Sequence, residues 1–416
     1  MIDSYAHIPA HWKLSRVDRV ATVSARIGWK ALTAAEYQPD GFAFLATPNI
    51  KSRTIDFENV NFISGFRYHE SPELKLAVGD VLLAKDGNTL GIVNLVRSLP
   101  RPATVNGSIA VLRPFAVHPA YLLYVLAGDA TQQSIALLKG GMGVPHLFQW
   151  DIRRLRIPLP PMDEQRRIAS FLDAQTDRLN SLIAGYRRKR RLLDEQLEAM
   201  RDKLFVDHAG VRMTPLMHLT DPRRPIVYGI VQAGPEVPGG VPYIKTGDLP
   251  SIDVSVLSTT SPEIHAQYRR ASVVPGDIIM AMRASIGAVG VVPGNLSEAN
   301  LTQGTARIAG RKGVDKRWLF HALQTRAVRD QCDIRAVGST FRTLNIWDLR
   351  RICLPLVSSV EQARMAEKFD EVLYRHGVIA SKLERQIALL QERTRSLIAA
   401  AVQGQIDVTT AQEVDL

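Results

Sequence analysis

Two kinds of hydrophobic pattern alternate along this chain, and their order recurs. First come short apolar runs bounded by Gly, Pro and Asn, such as Phe42-Ala43-Phe44-Leu45, Asp80-Val81-Leu82-Leu83-Ala84 and Ile109-Ala110-Val111-Leu112. Runs of this length and bounding predict strands. A short helix is predicted over 120–126. A segment marked by Pro158, Pro160 and Pro161 then leads into a long helical pattern from about Asp163 to Phe205. The second half predicts strands at Val241-Pro242-Tyr243-Ile244 and Asp277-Ile278-Ile279-Met280-Ala281 and a short helix over 318–325. After Pro355 a second long helix runs from about Val360 to Gln403. Ser359, with Gln362 three residues on, predicts a capping box at its start.

In the first long helix, positions 172, 179, 182, 186, 193 and 200 are Leu, Leu, Leu, Tyr, Leu and Met, close to a seam of alternating three and four. Gln175, Lys189 and Gln196 interrupt it. The second helix carries Phe369, His376, Ile379, Leu383, Leu390 and Leu397 at the equivalent positions. Helices of ~40 residues with one apolar stripe each must bury those stripes, most simply against each other as a coiled coil. Whole domains separate the two in the chain, so an antiparallel pair roughly 60 Å long is expected.

The recurrence extends to individual residues. A shift of 197 carries Trp150-Asp151 onto Trp347-Asp348, Arg153-Arg154 onto Arg350-Arg351, and Glu164-Gln165 onto Glu361-Gln362. It also carries Gly79-Asp80 onto Gly276-Asp277, Gly107 onto Gly304, Tyr121 onto Trp318 and Gly141 onto Gly338. Upstream the shift becomes 199, placing Gly41, Phe44, Thr47 and Asn49 on Gly240, Tyr243, Thr246 and Asp248. So many coincidences at one offset mean two copies of a unit of about 200 residues. Two heads on one rod make a measuring device. Dimeric DNA readers set their heads about one helical turn apart, and here the heads differ, so two different half-sites are expected.

Composition narrows the partners. The 416 residues carry 52 Lys+Arg against 41 Asp+Glu, a net +11, which favours a polyanion and above all nucleic acid. With 46% hydrophobic and 22% charged residues, neither a membrane protein nor a disordered chain is expected. The two cysteines, Cys332 and Cys353, exclude a disulfide framework and a Cys-rich zinc module and suit a reducing cytoplasm. The N-terminal MIDSYAHIPAHWK does not read as a secretory signal.

The strings PLPPMDEQRRIASFLD (Pro158 to Asp173) and LPLVSSVEQARMAEKFD (Leu354 to Asp370) are specific. Each follows a Trp-Asp-Ile/Leu-Arg-Arg approach and opens a long helix. They resemble the conserved helix openings of Type I restriction–modification DNA specificity subunits (the HsdS family). Tyr228 to Leu249 resembles the opening of a target recognition domain of that family, and Ile8 to Lys13 the start of the first one. The resemblance implies two mixed α/β (α+β) target recognition domains joined by two long helices forming an antiparallel coiled coil. The expected boundaries are recognition domain 1 over 1–158, spacer helix 1 over 159–207, recognition domain 2 over 208–356, and spacer helix 2 over 357–416. It implies no catalysis and no cofactor in this chain. Its partners would be double-stranded DNA, two methyltransferase (modification) subunits and restriction/translocase subunits, with S-adenosylmethionine, ATP and Mg²⁺ used there. Apolar positions beside the helix stripe, Phe171, Ile183, Leu197 and Leu204, would then dock modification subunits.

A catalytic reading finds little. There is no Gly-x-x-x-x-Gly-Lys-Ser/Thr phosphate loop. Leu159-Pro160-Pro161-Met162 lacks the polar residue and the aromatic of an adenine methyltransferase motif. Asp40 with Glu73 and Lys75 has the residue types of a Mg²⁺ nuclease, but the second copy has Gly239 and Arg270 opposite Asp40 and Glu73. A nuclease or methyltransferase with its own site stays open as the alternative, as does a coiled-coil nucleic-acid scaffold.

Base reading needs donors and acceptors on a rigid frame. In the first copy the candidates are Lys51, Arg53, Lys85, Asn88, Thr89, Asn106, Ser108 and Lys139. In the second they are Lys245, Thr246, Arg283, Ser285, Gln303, Thr305, Arg335, Thr340 and Arg342. Lys and Arg are expected chiefly on phosphates; Asn, Gln, Ser and Thr are better suited to base edges, and Arg283 also to a guanine. Trp150 and Trp347 are expected to pack where head meets helix. Arg153-Arg154 and Arg350-Arg351 suit helix-start salt bridges or phosphate clamps equally. The basic run Arg187 to Arg191 circles its helix and reads as a solvated face, or as a contact to phosphate or a modification subunit. If each head covers a few base pairs, an asymmetric bipartite site with a gap of about 5–8 base pairs follows.

Overall fold

The structure, a computed structural model, describes residues 5, 8–25, 32–140, 145–206, 210–339 and 342–408. Residue contacts divide the chain into two units, Met1–Tyr186 with Arg385–Leu416, and Arg187–Glu384. Both boundaries fall inside long helices, so each unit owns one head and a part of each helix.

The first head contains β1 (Lys13–Arg16), β2 (Ala21–Ser24), β3 (Phe42–Leu45), β4 (Asn61–Ile63), α1 (Gly65–His69), β5 (Val81–Ala84), β6 (Val93–Leu95), β7 (Ala103–Val105) and β8 (Ile109–Pro114). Then follow α2 (Pro119–Ala127), α3 (Asp129–Leu138), α4 (Gln149–Arg154) and β9 (Arg156–Leu159), before the long α5 (Met162–Phe205). The second head has β10 (Met213–Pro215), β11 (Val241–Ile244), β12 (Ser258–Thr260), α6 (Pro262–Gln267), β13 (Ile278–Ala281), β14 (Val289–Val291), β15 (Asn300–Leu301) and β16 (Thr305–Ile308). It closes with α7 (Lys316–Leu323), α8 (Arg326–Arg335), α9 (Ile346–Leu349) and β17 (Cys353–Pro355), before α10 (Ser359–Val402). The duplication read from the sequence is a duplication of fold. It includes α3 and α8, which the sequence pattern did not single out.

Among the described residues each head has three sheets. In the first they run β2-β8-β5-β6, β4-β3-β7 and β1-β9; in the second, β14-β13-β16, β12-β11-β15 and β10-β17. The central strand explains why its sequence is apolar without a break. Val81 and Leu83 face one core, with Tyr121 and Leu122 of α2, while Leu82 and Ala84 face another, with Ala43 and Leu45 of the small sheet. Both faces of the pleat are covered, so a period of two cannot show as apolar and polar. In the second head Ile278 and Met280 face α7, and Ile279 the small sheet. The β1-β9 and β10-β17 ladders tie the start of each head to its end, directly before the long helix.

The Glu-Gln of each helix start has a structural role. Buried Gln165 accepts from the His118 backbone N–H at 2.8 Å and donates to the Pro160 carbonyl at 2.8 Å. Gln362 does the same with Asp315 and Val357, at 2.9 Å each. The predicted capping pair shifts by one residue, because Ser358 Oγ accepts the Glu361 N–H and leaves Gln362 for the head.

The long helices match the predicted spans to within a residue or two, but the seam runs in a different phase. Thr176, Leu179, Ile183, Leu383 and Ile387 are buried, whereas Leu182, Met200 and Ile379 are exposed. The second seam position therefore falls four residues after the first, not three, and Gln175, Lys189 and Gln196 do not interrupt it. Within each unit the helices run antiparallel. In the first, Ile168 and Leu172 of α5 share a core with Ala401 and Val402 of α10. In the second, Phe205 packs edge-on against Phe369, and His376 meets Asp194 at 2.9 Å.

His321 (counterpart of Tyr124) lies buried in the second unit with Nε2 at 2.7 Å from Asp370. Burial pulls its pKa below the ordinary 6.5, and the pull of Asp370 the other way does not offset this. His376 is lowered too, by burial and by Arg190 and Arg201. An unfolded chain takes up these protons first, so stability present above pH 6.5 is lost as pH falls through that value. Melts at pH 7.5 and 5.5 should show a lower Tm at the acid pH and a smaller drop in His321→Gln. An equal drop in the variant would exclude His321 as a cause.

Candidate nucleic-acid interface

The main sheet of each head has two ends. One end meets the start of a long helix through Gln165 or Gln362. At the other end the candidate loops converge. In the first head, Lys85 N–H donates to the Ser108 carbonyl at 2.8 Å, joining the β5 loop to the β7–β8 loop. Gly87 N–H donates to Pro145 at 2.8 Å and Leu147 N–H to Lys85 at 2.9 Å, adding the segment before α4. In the second head, Met282 N–H donates to Gly304 at 2.7 Å and Leu344 N–H to Met282 at 2.9 Å. Arg283 reaches Gln303 Oε1 at 3.3 Å, and Thr246 Oγ1 donates to the Gly304 carbonyl at 3.2 Å.

Not every candidate arrives there with a free group. Asn88, Lys139, Lys245, Arg283 and Ser285 are exposed. Lys245 also bonds Ser258 Oγ at 2.8 Å. Thr89 gives its hydroxyl proton to the Asp86 carbonyl at 3.0 Å, and Asn106 Oδ1 accepts the Ser108 N–H at 3.1 Å. Lys85 is buried, 3.4 Å from Asp86, which also meets His146. Thr305 is fully buried with its hydroxyl on the Thr302 carbonyl, so it supports the loop and has no group for a base. Arg335 bonds the Gln331 carbonyl at 3.1 Å, and Arg342 pairs with Asp333 at 3.2 Å, both beside α8. Thr340 lies outside the described residues.

Arg53 is not part of this edge, and exposed Lys51 lies between Ile50 and Ser52, whose carbonyls accept from Asn94 of β6 at 3.0 and 2.6 Å. Arg53 turns to α5, bonding Thr176 Oγ1 at 2.9 Å and pairing with Asp177, with Asp173 at 3.7 Å. Arg97 and Tyr124 converge on the same Asp173, at 2.8 and 2.7 Å. These side chains brace head against helix. The apolar docking candidates are likewise used inside the chain: Ile183 is buried, Phe171 packs on the first head's core, and Leu197 and Leu204 on the second's. The exposed apolar side chains of the long helices are others, among them Leu182, Leu192, Tyr374, Val378 and Leu389.

The tryptophans depart from expectation. Trp150 is 54% exposed and Trp347 62%, each beneath an arginine four residues on. The guanidinium of Arg154 lies 5.2 Å from the Trp150 ring centre, that of Arg351 3.6 Å from Trp347. The readable signal was the spacing itself: Arg154 shares the α4 face with Trp150, and Arg351 lies over Trp347 from the turn after α9.

Among the described residues no group of three or more His, Cys, Asp or Glu side chains is placed to hold a metal. Asp40 pairs with Arg101 at 2.9 Å, and Lys75 lies 2.7 Å from His69 Nδ1. No described helix is long and apolar enough to cross a membrane.

A family model for the Type I restriction modification DNA specificity domain matches residues 9–189 and 232–388, one match in each copy of the repeat. The chain belongs to this family. The Type I restriction enzyme EcoBI specificity subunit of Escherichia coli is 26% identical over 289 residues, which is 63% of this chain and 61% of that one. The EcoKI specificity subunit of Escherichia coli strain K12 is 19% identical, covering 97% of this chain and 91% of its own. A chain from a structural study of complex assembly and conformational transition of the type I R-M system superposes with a TM-score of 0.72 at 19% identity, covering 96% of this chain and 99% of that one. The HsdS subunit from Thermoanaerobacter tengcongensis gives 0.50 at 18%, covering 96% and 98%. At these identities the structures share the fold. As a member of the specificity family, the chain has two heads that are the two copies of its specificity domain.

Proposed function

We propose that this chain is the DNA specificity subunit of a Type I restriction–modification complex, reading one half of an asymmetric bipartite site with each head. One observation carries the reading. The same sheet end in both heads gathers loops of different chemistry, Lys85-Asp86-Gly87-Asn88-Thr89 in one and Met282-Arg283-Ala284-Ser285-Ile286 in the other. A shared frame with unlike donors and acceptors is what two unlike half-sites require. Asn88, Asn106, Ser108, Lys139, Lys245, Thr246, Arg283, Ser285 and Gln303 are the residues available for contact, with Lys85 and Thr305 behind them. The chain performs no reaction itself. Methyl transfer from S-adenosylmethionine and ATP-driven translocation with Mg²⁺ belong to partner methyltransferase and restriction subunits. The methyltransferase subunits dock on exposed helix side chains such as Leu182, Tyr374 and Leu389 rather than on the buried seam.

The test is to co-express the chain with its methyltransferase subunits and map methylated adenines by sequencing. One asymmetric motif with a fixed gap is expected. Exchanging residues 1–158 for another recognition domain should change one half of the motif and leave the other. A motif that survives the exchange unchanged excludes the reading.

A further inference from the structure

The two Trp-Arg pairs occupy the same place in two heads whose neighbouring loops differ. In the first head a run of contacts links Asp86 to His146, His146 to Phe148 and Phe148 to Trp150, with Arg154 over the indole. The helix bearing Trp150 is itself fixed to β2, because Gln149 and Arg153 both donate to the Val23 carbonyl, at 2.6 and 3.3 Å. In the second head Arg283 bridges backbone to backbone with Thr343, four residues before Trp347. Each pair therefore flanks the loop edge.

Neither Arg154 nor Arg351 makes an ion pair among the described residues. Stacking on the indole orders the guanidinium while leaving its fork of N–H donors available, the geometry that suits a phosphate oxygen pair. Arg153, Arg156 and Arg350 add positive charge beside them. A feature identical in both heads cannot encode the difference between two half-sites. What is invariant along any duplex is its backbone.

From this we propose that Trp150–Arg154 and Trp347–Arg351 are phosphate clamps, one per head, that hold DNA without reading its sequence. The proposal rests on the DNA-specificity reading above and assigns part of the affinity, not the specificity, to these four residues.

The experiment uses the complex with its methyltransferase subunits, wild type and with Arg154→Gln plus Arg351→Gln. Binding to a duplex bearing the mapped motif and to one lacking it is followed over a salt series. Affinity should fall equally on both duplexes, roughly 3- to 10-fold per arginine, and the slope of log K against log salt should flatten by about two. The methylated motif should not change. Trp150→Ala plus Trp347→Ala should give a smaller, equally uniform loss, and exposed side chains leave Tm unchanged. A changed motif, or a loss confined to the cognate duplex, would show base reading and overturn the proposal. Unchanged DNA affinity with weakened assembly would show a protein contact and overturn it equally. A wild-type complex that prefers no bipartite site would sink the specificity reading, while the uniform loss would still report on the clamp.

Discussion

Phe369→Ala is expected to destabilise the second unit by about 3–5 kcal/mol, the range for emptying a buried phenylalanine site. Phe369 is fully buried and sits where three elements meet. Phe205, at the end of α5, packs on it edge-on with centroids 5.4 Å apart, and His321 of α7 lies at 5.0 Å. The Arg201 guanidinium lies over its ring at 5.2 Å. His321 cannot move in to fill the void without giving up its bond to Asp370. Arg201 is itself buried, and burial pulls its pKa down, so removal of the ring also takes away its cation–π partner. For a unit of this size the Tm should fall by about 10 °C. The same change should lower methylation of the whole bipartite site, because one unread half is enough to lose it. A Tm within 2 °C of wild type would show that the junction repacks around the gap.

The sequence made the repeat, the two long helices and the central strands legible, because each depends on local apolar periodicity that survives duplication. The seam phase was not legible. Thr176 occupies a seam position although polar, because its hydroxyl donates to the Leu172 carbonyl and meets Tyr124 of the head. Arg201 does so by laying its guanidinium on Phe369. Periodicity scores such residues as errors, so a stripe through Leu182 and Met200 looked better than the real one. The loop edge was half legible. Polar loop composition pointed to it, but only strand register shows that Ser108 and Pro145 meet the β5 loop while Arg53 leaves for α5. Burial of Lys85 and Thr305 was not legible, since a polar residue at the end of a strand ordinarily turns to solvent. The tryptophans failed for the opposite reason. Size and apolarity suggest a core, and only the arginine at i+4 marks an exposed platform.

Asp277→Ala should be the more damaging of two equivalent changes in the repeat. Asp277 is 1% exposed and holds two partners. Its carboxylate takes a two-pronged contact from Arg224 and accepts the Val274 N–H at 2.9 Å. The second bond closes the turn at Gly276, whose φ of +80° favours glycine and from which β13 starts. Asp80 repeats this with Arg113 at 2.7 Å, the Ala77 N–H at 2.7 Å and Gly79 at φ +95°. The partners differ in what they lose. The Arg113 side chain is 47% exposed and can turn to water, whereas Arg224 at 32% has less access. Breaking a buried pair by removing one partner costs about 3–5 kcal/mol, most of it the penalty of the charge left behind. Asp277→Ala should approach that range. Asp80→Ala should fall well below it, nearer the ~1–2 kcal/mol of the lost backbone bond and a partly screened pair. Urea unfolding of the two variants, read against wild type, gives the comparison. Equal losses would mean that the turn, common to both, carries the stability and the arginines add little.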